Sequence, residues 1–265
     1  MNEFLSLLLA GSMLLNGWTG GAVPMTDTIH LEAEHKPLMI AHRGLSGLEA
    51  ENTASAFVAA AQRSYFGIET DVHRTGDGQF IIIHDDSTLR VAGEDMTVEE
   101  TPFETLRGLQ LLDTDGQKGR RDLMMPSLAE YIGICRKYGK TAVLEIKNHM
   151  EGEDLDRIVE IIREAEYLEG VIFISFDLPN LIHLRGRLPD QPIQYLTVAC
   201  TQSVMDTLKT WRLDLDILYS AVTPEMVESL HARGVRVNVW TVNTPEDARR
   251  LMDCGVDFIT TNILE

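Results

Sequence analysis

The sequence predicts an α/β protein, a (β/α)8 TIM barrel with a small insertion after its second barrel strand. Three observations predict it. From Pro37 onward, short β-branched runs alternate with amphipathic stretches, the rhythm of parallel strands joined by right-handed helical crossovers. The chain has 265 residues, close to the roughly 250 that one such barrel occupies. His42, Glu69, Asp71, His84 and Glu145 stand where strongly apolar runs end, the side of the strands on which barrels keep their chemistry.

The apolar runs place strands at 38–42, 67–72, 80–84, 141–147, 171–175, 193–197, 215–219, 235–240 and 256–260. Helices fall between them at 52–64, 127–138, 153–166, 178–186, 201–210, 224–232 and 244–253. Ser127 with Glu130 three positions on is a capping signal, and Thr244-Pro245-Glu246-Asp247 gives a cap, an N1 proline and first-turn acids. Gly139, Gly234 and Gly255 sit where helices should stop. Residues 87–126 break the rhythm with the polar, glycine-bearing run 112-LDTDGQKGRRD-122. This is read as an insertion over one rim, made of loops and a short helix near 102–108, of the kind that shapes a substrate mouth.

The sequence stops at 261-TNILE-265, so the helix that should cover the seam between the last and first strands is sought at the other end. Residues 2–15 are expected to fold as that helix, with the rest of 1–36 as a connector to the barrel domain 37–265. The competing reading makes 4-FLSLLLAGSMLL-15 the core of a signal peptide spanning 1–22. Against export, the first residues carry an acid and no Lys or Arg, and the run is too short for a membrane span of about 20 residues. A cytoplasmic protein is expected.

Composition is ordinary for a globular domain, but 23 basic against 41 acidic residues give a net charge of -18. Such a surface repels nucleic acid and anionic bilayers, so neither nucleic-acid binding nor stable membrane insertion is expected. A small anionic substrate stays compatible if a metal ion and a few basic groups line its site. Cys135, Cys200 and Cys254 are few and far apart, a reduced-thiol pattern rather than a disulfide frame. Oligomeric state is not readable.

Strand alternation supplies the site geometry. Residues two apart project to one side, so Glu69 and Asp71 point together while Ile68, Thr70 and Val72 face the helices. Glu145 and Lys147 repeat this on the next barrel strand, with Val143 inward and Leu144 and Ile146 outward. Three converging carboxylates repel one another unless a cation intervenes, and hard oxygen ligands suit one divalent ion, Mg²⁺ or Ca²⁺. The bland alternative pairs each acid with a surface Arg or Lys. His42 and His84, flanking a metal, form an acid/base pair suited to neutral pH. Arg43 and Lys147 offer a planar fork and a point charge to a phosphate. His73 and His183 have no motif support and read as surface residues.

The run HRG-x6-ENT-x3-F, then ExD, DG-x5-HD, LEIK, 240-WTVN-243 and 255-GVDFITTN-262, resembles the glycerophosphodiester phosphodiesterase family over about Pro37 to Asn262. One departure is Ala50, where the family usually has the proline before ENT; proline would only stiffen that turn. The resemblance implies the same barrel, an insertion after the HD motif, and divalent-ion-dependent hydrolysis of a small glycerophosphodiester to glycerol 3-phosphate and an alcohol. It implies catalytic roles for His42 and His84, metal binding by Glu69, Asp71 and Glu145, and phosphate contacts from Arg43 and Lys147. Glu51 would orient Arg43 or meet a metal-bound water. Trp240 would form an apolar wall beside glycerol or be a plain core residue. One histidine would take a proton from water or from the glycerol 2-hydroxyl while the other protonates the leaving alcohol; the residues do not say which. The rival readings are a phospholipase C/D-like lipid phosphodiesterase and a catalytically silent ligand-binding barrel. The net charge argues against the first and the complete set of acids and histidines against the second.

Overall fold

The computed structural model describes residues 27–33 and 35–265. The elements run β1 (Leu38–Ala41), α1 (Ala54–Ala61), β2 (Gly67–Arg74), β3 (Phe80–Ile82), α2 (Leu89–Ala92), α3 (Phe103–Arg107), α4 (Leu128–Tyr138) and β4 (Thr141–Ile146). They continue α5 (Gly152–Glu164), β5 (Val171–Ser175), α6 (Leu178–Arg187), β6 (Ile193–Thr197), α7 (Gln202–Trp211), β7 (Asp214–Leu218), α8 (Pro224–His231), β8 (Val237–Trp240), α9 (Pro245–Cys254) and β9 (Phe258–Thr261). β1 pairs in parallel with both β9 and β2, and β2 with β4, so eight parallel strands close on themselves. Closure leaves no parallel edge exposed. This is the expected TIM barrel.

β3 is not part of the ring. It folds back antiparallel on the end of β2, with Val72 opposite Ile82 and Arg74 opposite Phe80. The 75-TGDG-78 turn makes this hairpin, with Gly78 in the left-handed region at φ 78°. The insertion that follows holds α2 as well as α3, and it has its own small core, in which Ile81, Ile83, Val98, Leu106 and Leu123 are buried together. α3 is the short helix expected near 102–108, and the separate core makes the insertion a folded cap.

Each strand splits its side chains as alternation requires. Ile40, Val143, Ile172, Ile174, Leu196 and Phe258 fill the barrel interior. Ile68, Val72, Leu144, Ile146 and Ile217 pack outward under the helices. Tyr131 of α4 ties that outer layer to the barrel, its hydroxyl donating to the Ile68 carbonyl at 2.7 Å and its ring edge-on to Phe57 at 5.0 Å. The helix punctuation works as read. Ser127 and Glu130 form a complete capping box, Thr244 accepts from the Asp247 N–H, and Gly139 and Gly255 end α4 and α9 in the left-handed conformation. Such caps are worth about 1 kcal/mol each.

The proposed helix at 2–15 and the alternative signal peptide lie outside the described residues. What precedes β1 among the described residues runs extended beside the C-terminus: Ile29 bridges Leu264 in parallel, and the Thr28 hydroxyl donates to Glu265 at 2.6 Å. No helix among the described residues is long and apolar enough to cross a membrane.

Candidate active site

The C-terminal ends of β1, β2 and β4 bring the acids together. Asp71 lies directly across from Glu145 in the β2–β4 register, and Glu69 is one inward position before Asp71. One carboxylate oxygen from each of Glu69, Asp71 and Glu145 lies within 4.8 Å of the others. All three residues are buried, at 3%, 1% and 8% exposure, so water cannot screen their mutual repulsion. Burial and the neighbouring Asp71 and Glu145 carboxylates push the Glu69 carboxyl well above the usual carboxylate range. Burial likewise raises Glu145, with Lys147 partly offsetting it. Burial would raise Asp71 too, but Lys147 and Arg43 outweigh it and hold this acid ionised.

Two cationic groups oppose the cluster. Lys147 Nζ is 2.9 Å from Glu145 and 3.7 Å from Asp71. Arg43 Nε is 3.5 Å from Asp71, its Nη1 donates to Glu51 at 2.9 Å, and its backbone N–H donates to Glu69 at 2.8 Å. The 42-HRG-44 turn makes that reach possible. Arg43 itself is left-handed at φ 54°, and Gly44 must be glycine because a Cβ there would stand 2.7 Å from the Ala56 carbonyl carbon.

The set fits a hard divalent ion. Three buried acids converge beside Lys147 and an Arg43 whose charge is shared with Glu51, so negative charge is in excess, and Asp71 Oδ1 has no hydrogen-bond partner. A buried oxygen left unpaired in a negative pocket is what a cation site offers.

The histidines stand on the rim. His42 follows β1 directly, and its Nδ1 meets the Asn262 side-chain oxygen at 2.7 Å; that oxygen also accepts from Ser46 at 3.1 Å. An accepting amide oxygen makes Nδ1 the protonated nitrogen and leaves Nε2 with its lone pair. Desolvation and the adjacent Arg43 lower the His42 pKa to about 3, so the ring is neutral. His84 arrives on the β3 hairpin, and its Nδ1 is 2.7 Å from Asp85 Oδ1. Burial opposes the Asp85 charge, but hydrogen bonds from His84 and Arg90 hold this carboxyl well below its ordinary value. Glu51 is kept at about 2: burial raises it, and Arg90 and Arg43 more than compensate.

Trp240 ends β8 half-buried, its ring edge-on to the exposed Phe176 with centroids 5.6 Å apart and its indole N–H without a partner. It stands at the C-terminal end of its strand and packs against the inner core.

Of the two histidines read as surface residues, His73 needs correction, while His183 stays at the surface beside Asp156. His73 is fully buried, with Nε2 3.2 Å from the His84 carbonyl and Nδ1 3.3 Å from Glu99. The signal was present: His73 continues the inward series of Glu69 and Asp71. His183 is half-buried against Asp156 at 2.9 Å. Sequence reasoning also missed the supports of the site. Asn52 donates to Asp71 at 2.8 Å and accepts from Thr70 at 2.7 Å, and Asn262, Asp85 and Arg90 hold the two histidines and Glu51. Asp216, deep in the barrel, is a further buried acid, raised well above its ordinary value by burial and by Glu145.

The comparisons agree with this geometry. Residues 42–265 match the profile of the Glycerophosphoryl diester phosphodiesterase family. A glycerophosphodiester phosphodiesterase of Caldanaerobacter subterraneus subsp. tengcongensis is 30% identical over 86% of this chain and 94% of its own. An Oleispira antarctica phosphodiesterase, solved in complex with its product sn-glycerol-3-phosphate, superposes with TM-score 0.79 at 28% identity, over 86% of this chain and 93% of the other. A Thermotoga maritima glycerophosphodiester phosphodiesterase does so with TM-score 0.69 at 26% identity, over 87% and 96%. Strand order, barrel closure and sequence match over most of the chain coincide, and the protein belongs to the glycerophosphoryl diester phosphodiesterase family as a hydrolase.

Proposed function

We propose that the protein hydrolyses glycerophosphodiesters to sn-glycerol 3-phosphate and an alcohol, by a histidine pair working beside a divalent-ion site. The observation that carries this is the charge of the pocket. Glu69, Asp71 and Glu145, with the Glu51 that shares Arg43, outnumber Lys147 and Arg43, so a divalent ion would offset the excess negative charge and let a phosphodiester monoanion approach the ion and the Arg43 guanidinium. When bound at Glu69, Asp71 and Glu145, Mg²⁺ or Ca²⁺ supplies Lewis-acid polarisation of a phosphoryl oxygen.

The chain's own residues do the rest. Arg43, held by Glu51, presents its guanidinium to the phosphate, and Lys147 adds a point charge from the far side of the acids. His42 is neutral, with Nε2 carrying the lone pair, so it accepts a proton from the attacking water; the negative phosphodiester beside it raises its basicity from the resting value. His84, its Nδ1 bonded to an ionised Asp85, takes the general-acid role and delivers a proton to the leaving alkoxide. A P–O bond forms to the attacking oxygen as the bond to the alcohol breaks, and the proton lost at one face is returned at the other. Trp240 and Phe176 give the glycerol carbons an apolar wall.

The test is enzymatic release of sn-glycerol 3-phosphate from glycerophosphocholine, with and without chelator. Turnover is expected to vanish with chelator and to fall at least about a hundredfold in His42→Gln and His84→Gln. Full activity in chelator, or in either variant, refutes the proposal.

A further inference from the structure

Arg90 stands on α2 of the insertion and is 48% exposed at its side chain, yet all three of its guanidinium nitrogens are engaged. Nη1 and Nη2 each donate at 2.8 Å to the two oxygens of Glu51. Nε and Nη2 donate at 2.6 and 3.0 Å to the two oxygens of Asp85. Each carboxylate then spends a remaining lone pair on the site: Glu51 on Arg43 at 2.9 Å, Asp85 on the His84 ring at 2.7 Å. The chain Arg43–Glu51–Arg90–Asp85–His84 alternates in charge and ends on a phosphate-facing group at one end and a proton-carrying group at the other.

We propose that Arg90 is a positioning residue that locks both ends of the catalytic constellation at once, and that this is a function of the inserted cap. The inference rests on the roles assigned above to Arg43 and His84. An isolated ion pair this exposed adds little to stability, because water screens it and ordering a long side chain costs entropy. Two bidentate forks sharing one guanidinium are different in kind, since only a planar arginine spans both carboxylates. The backbone beneath is fixed as well. Ala92 is fully buried in the insertion's core, Gly93 closes α2 in the left-handed region, and the Val91 carbonyl accepts from the Leu112 N–H at 2.8 Å. The cap thus holds Arg90 over the ENT loop and the HD loop, two segments that share no covalent neighbour. Removing it frees Asp85, and with it the ring orientation of His84; it also frees Glu51, and with it the guanidinium of Arg43.

The experiment compares Arg90→Gln, Arg90→Lys, Asp85→Asn and the double variant Asp85→Asn/Arg90→Gln in full-length protein at saturating divalent ion. Arg90→Gln should lower kcat about tenfold or more, the scale on which losing an orienting partner acts, and raise KM severalfold, with the melting temperature nearly unchanged. Arg90→Lys keeps the charge without the double fork, so its kcat should lie between Arg90→Gln and wild type. The double variant should lose less in kcat than the product of the two single losses, because both changes release the same His84 ring and only the Glu51–Arg43 arm adds to Asp85→Asn. If Arg90→Gln does not fold by circular dichroism, Arg90→Lys carries the test, and wild-type kcat and KM in it overturn the inference. Fully multiplicative losses in the double variant overturn it too. An inactive wild type, or an active His84→Gln, overturns the underlying assignment and this inference with it. An active wild type and an inactive His84→Gln beside a normal Arg90→Gln overturn this inference alone.

Discussion

Replacing Glu69 with glutamine separates what the acid cluster costs the fold from what it does for a cation. Oxygens of the three carboxylates approach within 4.8 Å, and two full charges at that separation repel by about 3.5 kcal/mol at an effective dielectric of about 20. Glu69 faces two such neighbours and is compensated by the Arg43 backbone N–H and guanidinium, while its raised pKa shows that protonation already relieves part of the strain. In Glu69→Gln the side-chain oxygen can still accept from Arg43, but the charge is gone. The net gain expected in metal-free protein is about 1–3 kcal/mol, a rise of about 2–8 °C in a domain of this size. The sign with pH follows. Folded Glu69 binds its proton more tightly than the ordinary value of 4.5, so wild type loses stability as pH climbs from there through the raised folded value, and the variant does not. The advantage of Glu69→Gln in chelator should therefore grow from pH 5 to pH 8. Thermal unfolding with and without Mg²⁺ or Ca²⁺ is the assay. Wild type should gain about 2.7 kcal/mol at a hundred times its dissociation constant, and the variant far less. A variant that melts below wild type in chelator, or keeps the wild-type response to the ion, refutes the reasoning.

Lys147→Met removes the ammonium 2.9 Å from Glu145, and stripping one partner from a buried pair costs about 3–5 kcal/mol. Its metal-free melting point should drop by roughly 10 °C and recover more with a divalent ion than wild type gains, which calorimetry can read. For His42, a folded pKa of about 3 against the ordinary 6.5 means the unfolded chain takes up the proton first as pH falls. Metal-free wild type should therefore lose stability relative to His42→Gln below pH 6.5, by up to about 2 kcal/mol at pH 5; parallel melting curves across that range would exclude it.

Local pattern made the barrel legible. The rhythm of apolar runs located the nine strands of the described residues, and β4 follows β2 in the ring as expected, with β3 set beside the ring as the hairpin partner of β2. The insertion's polar middle was readable, but its separate core was not, because Ile81, Val98, Leu106 and Leu123 are spread too widely for a periodic signal. Alternation on β2 and β4 put Glu69, Asp71 and Glu145 on one face, and their oxygens do converge. The same rule, followed one step further along β2, would have buried His73.

Sequence alone determined which residue types end the strands, and through period-two alternation it determined which of them face inward. Tertiary structure alone decided who holds them. Asn262 reaches His42 across 220 positions and Arg90 reaches Glu51 across 39, meetings made by barrel closure and by the docking of a folded cap. A hydrogen bond between side chains so far apart in the chain leaves no periodicity behind. Only packing fixes the few ångströms on which charge, proton position and orientation in this site depend.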